Sequence, residues 1–397
     1  MLLDAGFDID IFPFYPLNSD LWRYVPEILS EHVLVRSKVH HIGFLKSLTY
    51  LKSAGPRKLS RFLGDAGSIA LSAARFGLVP VGKSLYVFPK AWAWSQKHLN
   101  QYDHVLAYWG NYAASCAYVF HRLMDRPVPF SMFLHAGIDL YWDQVFLRQK
   151  LLYADNIFVV CDFNRQFVRR RYPDIYPAIS ENIHEYHLGL DLSAFPYRPH
   201  GRPSRRILGV GTFAKYKGYE FLLRATAELH RRGINCELEL VGDGKEANSL
   251  KKLARELSIS GKVHFPGWLK PADVRAAMEN ATIFVHPSNG VGDAVPTVIK
   301  ECMALGTPVI ASRTAGIPEL LDDGKCGILV PPKDIRAFAD GMHQLLESDV
   351  LRRAYADAAR EYAEKKFDLW RNGHKLAQIL SSTNRRRPVA LQSSQRY

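Results

Sequence analysis

The sequence predicts an α/β chain of two doubly wound, Rossmann-like domains facing a cleft. Three observations predict it. The chain has 397 residues, the length of two ordinary domains. Short apolar runs alternate with helical patterns in its first part, the signature of a parallel sheet covered on both faces. After a stretch rich in Pro, Gly and Arg, the alternation starts again.

The first series opens on "FDIDIFPF", a period-two strand pattern. "HVLAYWG" is a short apolar run ending in Gly, and "AASCAYVFHRLM" after it has helical spacing. "PFSMFLHAG" reads as a strand, "FLRQKLLYA" as a helix and "NIFVVC" as a strand. "DFNRQFVRRRY" reads as a helix with Asp162 as candidate N-cap. "LSAFPYRPHGRPSRR" breaks the pattern and is the expected linker. The second series runs "RILGVGTF", "GYEFLLRATAELHRRG", "CELELVGDG", "EANSLKKLARELS", "VHFPGW", "PADVRAAMENA", "TIFVHPS", "TVIKECMALG", "TPVIAS" and "CGILVPP". Helices of roughly 334–346 and 350–367 should close the fold. The expected domains are 1–195, 196–350, a closing helix at 351–380 and a disordered, Arg-rich tail at 381–397.

Composition narrows the function. No apolar run is long enough to span a bilayer, and the first residues lack the basic flank and apolar core of a signal peptide. Five dispersed Cys without a CxxC pair fit a reducing cytosol. The net charge of +13 favours anionic partners. Between His41 and Asn100 there are nine Lys or Arg and one acid, Asp65, interleaved with Phe62, Tyr86, Phe88, Trp92 and Trp94. The stretch reads either as an interface for an anionic membrane surface or as a solvated helical face with core aromatics. Nucleic acid is not expected, since no zinc finger, RNP or helix-turn-helix pattern is present.

The candidate site lies in the second series. "DAVPTVIKECMALGTPVIA" places Asp293 on a turn and Glu301 inside the helix that follows. Pro296 suits the start of that helix and Gly306 its end. Its first amides, at Val295, Thr297 and Val298, form an anion site suited to a diphosphate. Glu301, one turn on, is placed to accept from a ribose diol, and Asp293 from hydroxyls of a sugar beyond the phosphates. Spacing alone fits a charged helix start plus a surface Glu equally well. "GVGTFAKYKG" adds a strand-end Gly turn with Gly211, Thr212 and Lys217, whose ammonium can oppose a diphosphate. A solvated Lys is the ordinary alternative. "LVGDG", with Gly242, is a third strand-end loop on the same side. His135 ends a strand and on its own reads as a structural histidine.

These motifs resemble those of retaining glycosyltransferases of family 4, which have the GT-B fold. The resemblance covers about residues 2 to 370. It is carried by "AYWGN", "HAGIDLY", "LGLDLSAF", "VGTFAKYKG", "VGDG", "FPGW" and "DAVPTVIKECMALGTPVIASRTAGIPELL", and its flavour is that of exopolysaccharide enzymes. The resemblance implies that Lys217 meets the donor diphosphate, Glu301 the ribose, and Asp293 and His135 the transferred sugar, with "FPGW" near the base. It implies a UDP- or GDP-linked sugar as donor substrate and a glycan or lipid-linked acceptor, with no cofactor and no metal. The expected place is the cytoplasm, peripheral on the inner face of the plasma membrane. The chain departs from the family in having Asp293 where Glu is usual and Thr212 where Arg often stands. It also starts at the equivalent of the family's second strand, so that the first strand and its Gly-rich loop are missing. The rival readings are a sugar-nucleotide epimerase and a degenerate, non-catalytic nucleotide-sugar-binding or scaffold protein.

Overall fold

The computed structural model describes residues 1–14, 38–52, 55–98, 101–142, 144–201, 205–290 and 292–385. The chain divides into two compact units, Met1–Tyr186 with Gly373–Tyr397, and His187–Asn372. Both are α/β with parallel sheets, as expected. The division after Tyr186 precedes the Pro/Arg-rich stretch proposed as linker, and the end of the chain returns to the first unit.

The first unit opens with β1 (Asp10–Ile11) and β2 (Lys38–Val39), which pair in parallel as a sheet of their own. Three helices follow: α1 (Phe44–Leu48), α2 (Pro56–Ala74) and α3 (Leu78–His98). Then come β3 (Val105–Ala107), α4 (Tyr112–Arg122), β4 (Phe130–Leu134), α5 (Leu147–Tyr153), β5 (Asn156–Val159), α6 (Asp162–Arg171), α7 (Tyr176–Ile179) and β6 (Ile183–Glu185). The sheet order is β3-β4-β5-β6, all parallel. Every residue of β4 and β5 is buried, as a strand covered on both faces must be.

One local expectation is corrected here, and one open alternative is decided. Asp162 is the first helical residue of α6 and Cys161 takes the cap position, so the acid acts on the helix dipole. The aromatics of the basic stretch lie inside: Phe62, Phe88, Trp92 and Trp94 are buried in the core. Their spacing reported packing among helices.

The second unit holds β7 (Arg206–Val210), α8 (Tyr219–Arg231), β8 (Glu237–Val241), α9 (Ala247–Glu256), β9 (Val263–Gly267), α10 (Pro271–Glu279), β10 (Ile283–His286) and α11 (Thr297–Leu305). It continues with β11 (Val309–Ser312), α12 (Ile317–Leu320), β12 (Ile328–Val330), α13 (Ile335–Glu347) and α14 (Asp349–Lys366). α15 (Leu369–Ser382) follows and runs on into the first unit's last segment. The C-terminal stretch is therefore two helices, parted at Phe367–Asp368, where Leu190 donates to the Phe367 carbonyl. The sheet order is β12-β11-β10-β7-β8-β9, parallel throughout. α8 shows why this layer forms: Tyr219, Leu222, Leu223, Thr226 and Leu229 recur at helical spacing and are all buried. α13 is capped by Asp334, whose side chain accepts from the Ala337 amide at 2.9 Å. The last residues of the expected tail, from 386 on, lie outside the described residues, and Ser381 and Ser382 end α15. Among the described residues no helix is long and apolar enough to cross a membrane.

Candidate functional site

The sheet of the second unit has one point where its winding reverses. From β7 the chain builds outward through β8 and β9, then returns to place β10 on the other side of β7. Loops leaving adjacent strands at such a point diverge and open a crevice at their carboxyl ends. The loops after β7 and β10 are those that carry Lys217 and Asp293.

These loops are joined by close backbone contact. Tyr216 O accepts from the Asn289 amide at 2.8 Å and from Ser288 Oγ at 3.1 Å. Gly218 has φ +70°, and a Cβ there would sit 2.1 Å from the Pro287 carbonyl oxygen. On the other side, Gly242 has φ +137°, and a Cβ there would sit 2.0 Å from the Gly211 carbonyl oxygen. Only glycine fits either place. Gly242→Ala is therefore expected to destabilise the protein by about 1–3 kcal/mol through backbone shift and strain. Thermal unfolding checks this, and an unchanged melting temperature would show that the loop moves freely.

Within this frame the charged groups meet. Lys217 Nζ donates to Asp293 Oδ1 at 2.7 Å, and His286 Nε2 donates to Asp293 Oδ2 at 3.2 Å. The side chains of Lys217, Asp293 and His286 are 14%, 12% and 1% exposed. Burial alone would raise the Asp293 carboxyl. His286 and Lys217 outweigh it and hold the group well below the usual carboxylate range. Burial lowers His286, with the Asp293 contact opposing. Its Nδ1 is buried with no hydrogen-bond partner among the described residues. The Tyr219 hydroxyl is likewise buried and unpartnered, and a Cβ on Gly211 would approach it to 2.8 Å. Such atoms are costly to leave unpaired.

The helix after Asp293 starts open. Pro296 holds the cap position of α11 and no side chain caps its first turn. The amides of Thr297 and Val298 and the positive end of the dipole face whatever occupies the crevice end of this helix. Thr212 and Thr297 are exposed, and Val295 and Val298 are half-buried. Gly306 ends α11 with φ +77°, as its position suggested. Glu301 sits one turn into α11, half-buried. Burial raises its carboxyl, with Lys300 opposing. Lys300 points the other way and donates to the Leu188 carbonyl at 2.8 Å.

Asp293, Lys217, Gly211, Gly242 and the start of α11 thus belong to one end of one sheet. His135 belongs to the first unit. It follows β4, is 7% exposed, and its Nε2 donates to the Tyr108 carbonyl at 2.7 Å. The Asn164 amide holds the His135 carbonyl at 2.5 Å, and the Tyr108 and Trp109 rings lie 4.9 and 4.5 Å from the imidazole. Sequence reasoning missed His286 and Tyr219. The only signal for His286 was a histidine closing the strand in "TIFVHPS", seven residues before the acid. Tyr219 had none, since its spacing is that of a core residue.

Comparison with known proteins points to the same unit. Residues 198–362 match the family model for glycosyl transferases group 1, so the match falls inside His187–Asn372. The α-D-kanosaminyltransferase of Streptomyces kanamyceticus is 32% identical over 173 residues, covering 44% of each chain. The lipopolysaccharide core biosynthesis glycosyltransferase LpsE of Rhizobium meliloti is 34% identical over 155 residues, 39% of this chain and 43% of that protein. The match thus spans under half the length of these two relatives. The solved structure of Anabaena HepE with UDP and glucose superposes with a TM-score of 0.67 at 17% identity, covering 94% of this chain and 99% of that one. At that identity the likeness shows the fold, which is the GT-B architecture of two Rossmann-like units.

Proposed function

We propose that this protein is a retaining glycosyltransferase of the family 4 type. It would move a sugar from a nucleotide-sugar to a hydroxyl of a glycan or lipid-linked acceptor in cell-surface polysaccharide synthesis. One observation carries the reading: a buried Lys217–Asp293–His286 cluster beside an uncapped helix start, at the switch point of a parallel sheet. The names of the two relatives and the UDP and glucose of the HepE structure support it.

In this reading the bond from the anomeric carbon to the donor phosphate breaks, and a bond to the acceptor oxygen forms on the same face. The acceptor proton passes to the leaving diphosphate. Lys217 and the Thr297 and Val298 amides stabilise the charge that develops there. Asp293 orients the sugar through its hydroxyls, and Glu301 binds the ribose. Gly211, Thr212 and Gly242 let the loop backbones approach the donor. The contact of His135 with the transferred sugar, which the resemblance implies, is part of the proposal. No cofactor takes part in it.

The test is turnover of a panel of UDP- and GDP-sugars, with the anomeric configuration of the product read by NMR. An inverted product, or a bound nucleotide-sugar that no acceptor consumes, would overturn the reading. A second measurement isolates the ribose contact. Glu301→Gln removes a charged acceptor, so nucleotide affinity is expected to fall about ten- to a hundredfold. Equal affinity by calorimetry in folded protein would take Glu301 out of the site.

A further inference from the structure

We propose that the turn between α2 and α3 is a docking tip that enters the interface of an anionic lipid bilayer. Leu71, Phe76, Leu78 and Val79 are 72%, 40%, 89% and 67% exposed. They occupy the last turns of α2, the turn itself and the first residues of α3. Side chains of this size at this exposure gain free energy only by leaving water.

The helices behind the tip explain why these residues point outward. α2 buries Phe62, Ile69 and Ala73 on one side. The opposite side carries Leu63, Gly64, Gly67, Ser68 and Leu71, all exposed and none charged. Gly77 takes φ +108°, which lets the chain reverse between the two helices. The aromatics that would ordinarily anchor such a surface are inside the core. The lipid-facing groups are therefore aliphatic.

Charge selects the partner. Arg75 and Lys83 are exposed beside the tip, while Arg57 and Arg61 lie near the other end of α2. The stretch has one acid, Asp65, and its carboxylate is 12% exposed and taken by Arg122 at 3.1 Å. An aliphatic tip flanked by Arg75 and Lys83, with the one acid of the stretch paired, fits anionic headgroups over acyl chains. A second copy docked by the same face would set Arg75 and Lys83 against their own counterparts. No described helix can span a bilayer, so the contact is interfacial. Its benefit to catalysis, access to an acceptor held on a lipid, rests on the transfer reading above. The lipid contact itself does not.

The test is co-sedimentation of the intact chain with phosphatidylcholine vesicles containing phosphatidylglycerol, against pure phosphatidylcholine. Binding to the anionic vesicles is expected, weakening as salt rises. Leu78→Ser with Val79→Ser should lower the partition at least about tenfold at unchanged melting temperature. Arg75→Gln with Lys83→Gln should lower it about tenfold on anionic vesicles only. Wild-type protein that ignores anionic vesicles at low salt would overturn the proposal. So would a serine variant that binds as the wild type does. A dimer in light scattering that the serine pair dissolves would assign the tip to a second copy, and overturn it too. Vesicle binding without turnover of any donor would leave this inference standing while the transfer reading fell.

Discussion

Lys217→Met is expected to lower kcat by about 10²- to 10³-fold, the usual loss when one preorganised donor to a developing oxyanion is removed. Lys217 is the one Lys or Arg that the described residues place on Asp293. Methionine keeps the aliphatic stem and removes the ammonium. The substitution also strands a buried carboxylate, and breaking such a pair costs about 3 kcal/mol or more. The two effects separate by measurement. The loss of kcat should persist well below the melting temperature, where the variant is folded. Diphosphate affinity by calorimetry should fall with it, because the ammonium serves ground state and transition state alike. Lys217→Arg keeps the charge but not the point geometry, and should recover only part of the rate. A methionine variant with full activity in folded protein would remove Lys217 from the chemistry.

Asp293→Asn has the second largest expected effect. It keeps the shape and removes the charge that organises Lys217 and His286. Turnover is expected to fall about 10²-fold, the scale set by a misplaced reacting group. Nucleoside diphosphate affinity should change by less than about tenfold, because Lys217 and the α11 amides remain. A loss of affinity as large as the loss of turnover would place Asp293 on the nucleotide and not on the sugar. The variant also has a pH signature. The Asp293 carboxyl titrates well below its unfolded range. Its contribution to stability is thus full above the unfolded range and is lost as pH falls from there through the lower folded value. Asp293→Asn should therefore lower stability at neutral pH and flatten the acid limb of the stability curve. A curve parallel to the wild type would show that the pair contributes nothing. Asp293→Glu should keep part of the activity if the loop absorbs one methylene.

Much of the second unit was legible because its signals are local. Gly306 after an apolar helical run is a helix end in any fold, and Asp334 before another is a cap. The glycines at 211 and 242 follow strand runs, where a tight turn must come. In the first unit the same method left the face undecided. Tryptophans among lysines look interfacial, yet Trp92 and Trp94 pack inward while Leu71, Leu78 and Val79 face water. A helix has an inside only once its neighbours are placed. The short strand β6 gave too few residues for a periodic pattern and went unread. Asp162 was read as a cap because it is the commonest residue type there, while the backbone turned one residue earlier.

The amino-acid sequence by itself determined the α/β class, the repeat of the strand–helix alternation, and the residues at 211–218 and 293–301 on which the proposed anion site rests. Those follow from periodicity and from the conformations that Gly and Pro permit. Tertiary structure decided that Lys217 and Asp293, far apart in the chain, meet as an ion pair at 2.7 Å, and that His286 completes the cluster. It did so through strand order: β10 returning to lie beside β7 brings two distant loops to one end of one sheet. No local pattern encodes that adjacency, because the packing of strands three apart in chain order is set by the whole core and not by the residues that meet there.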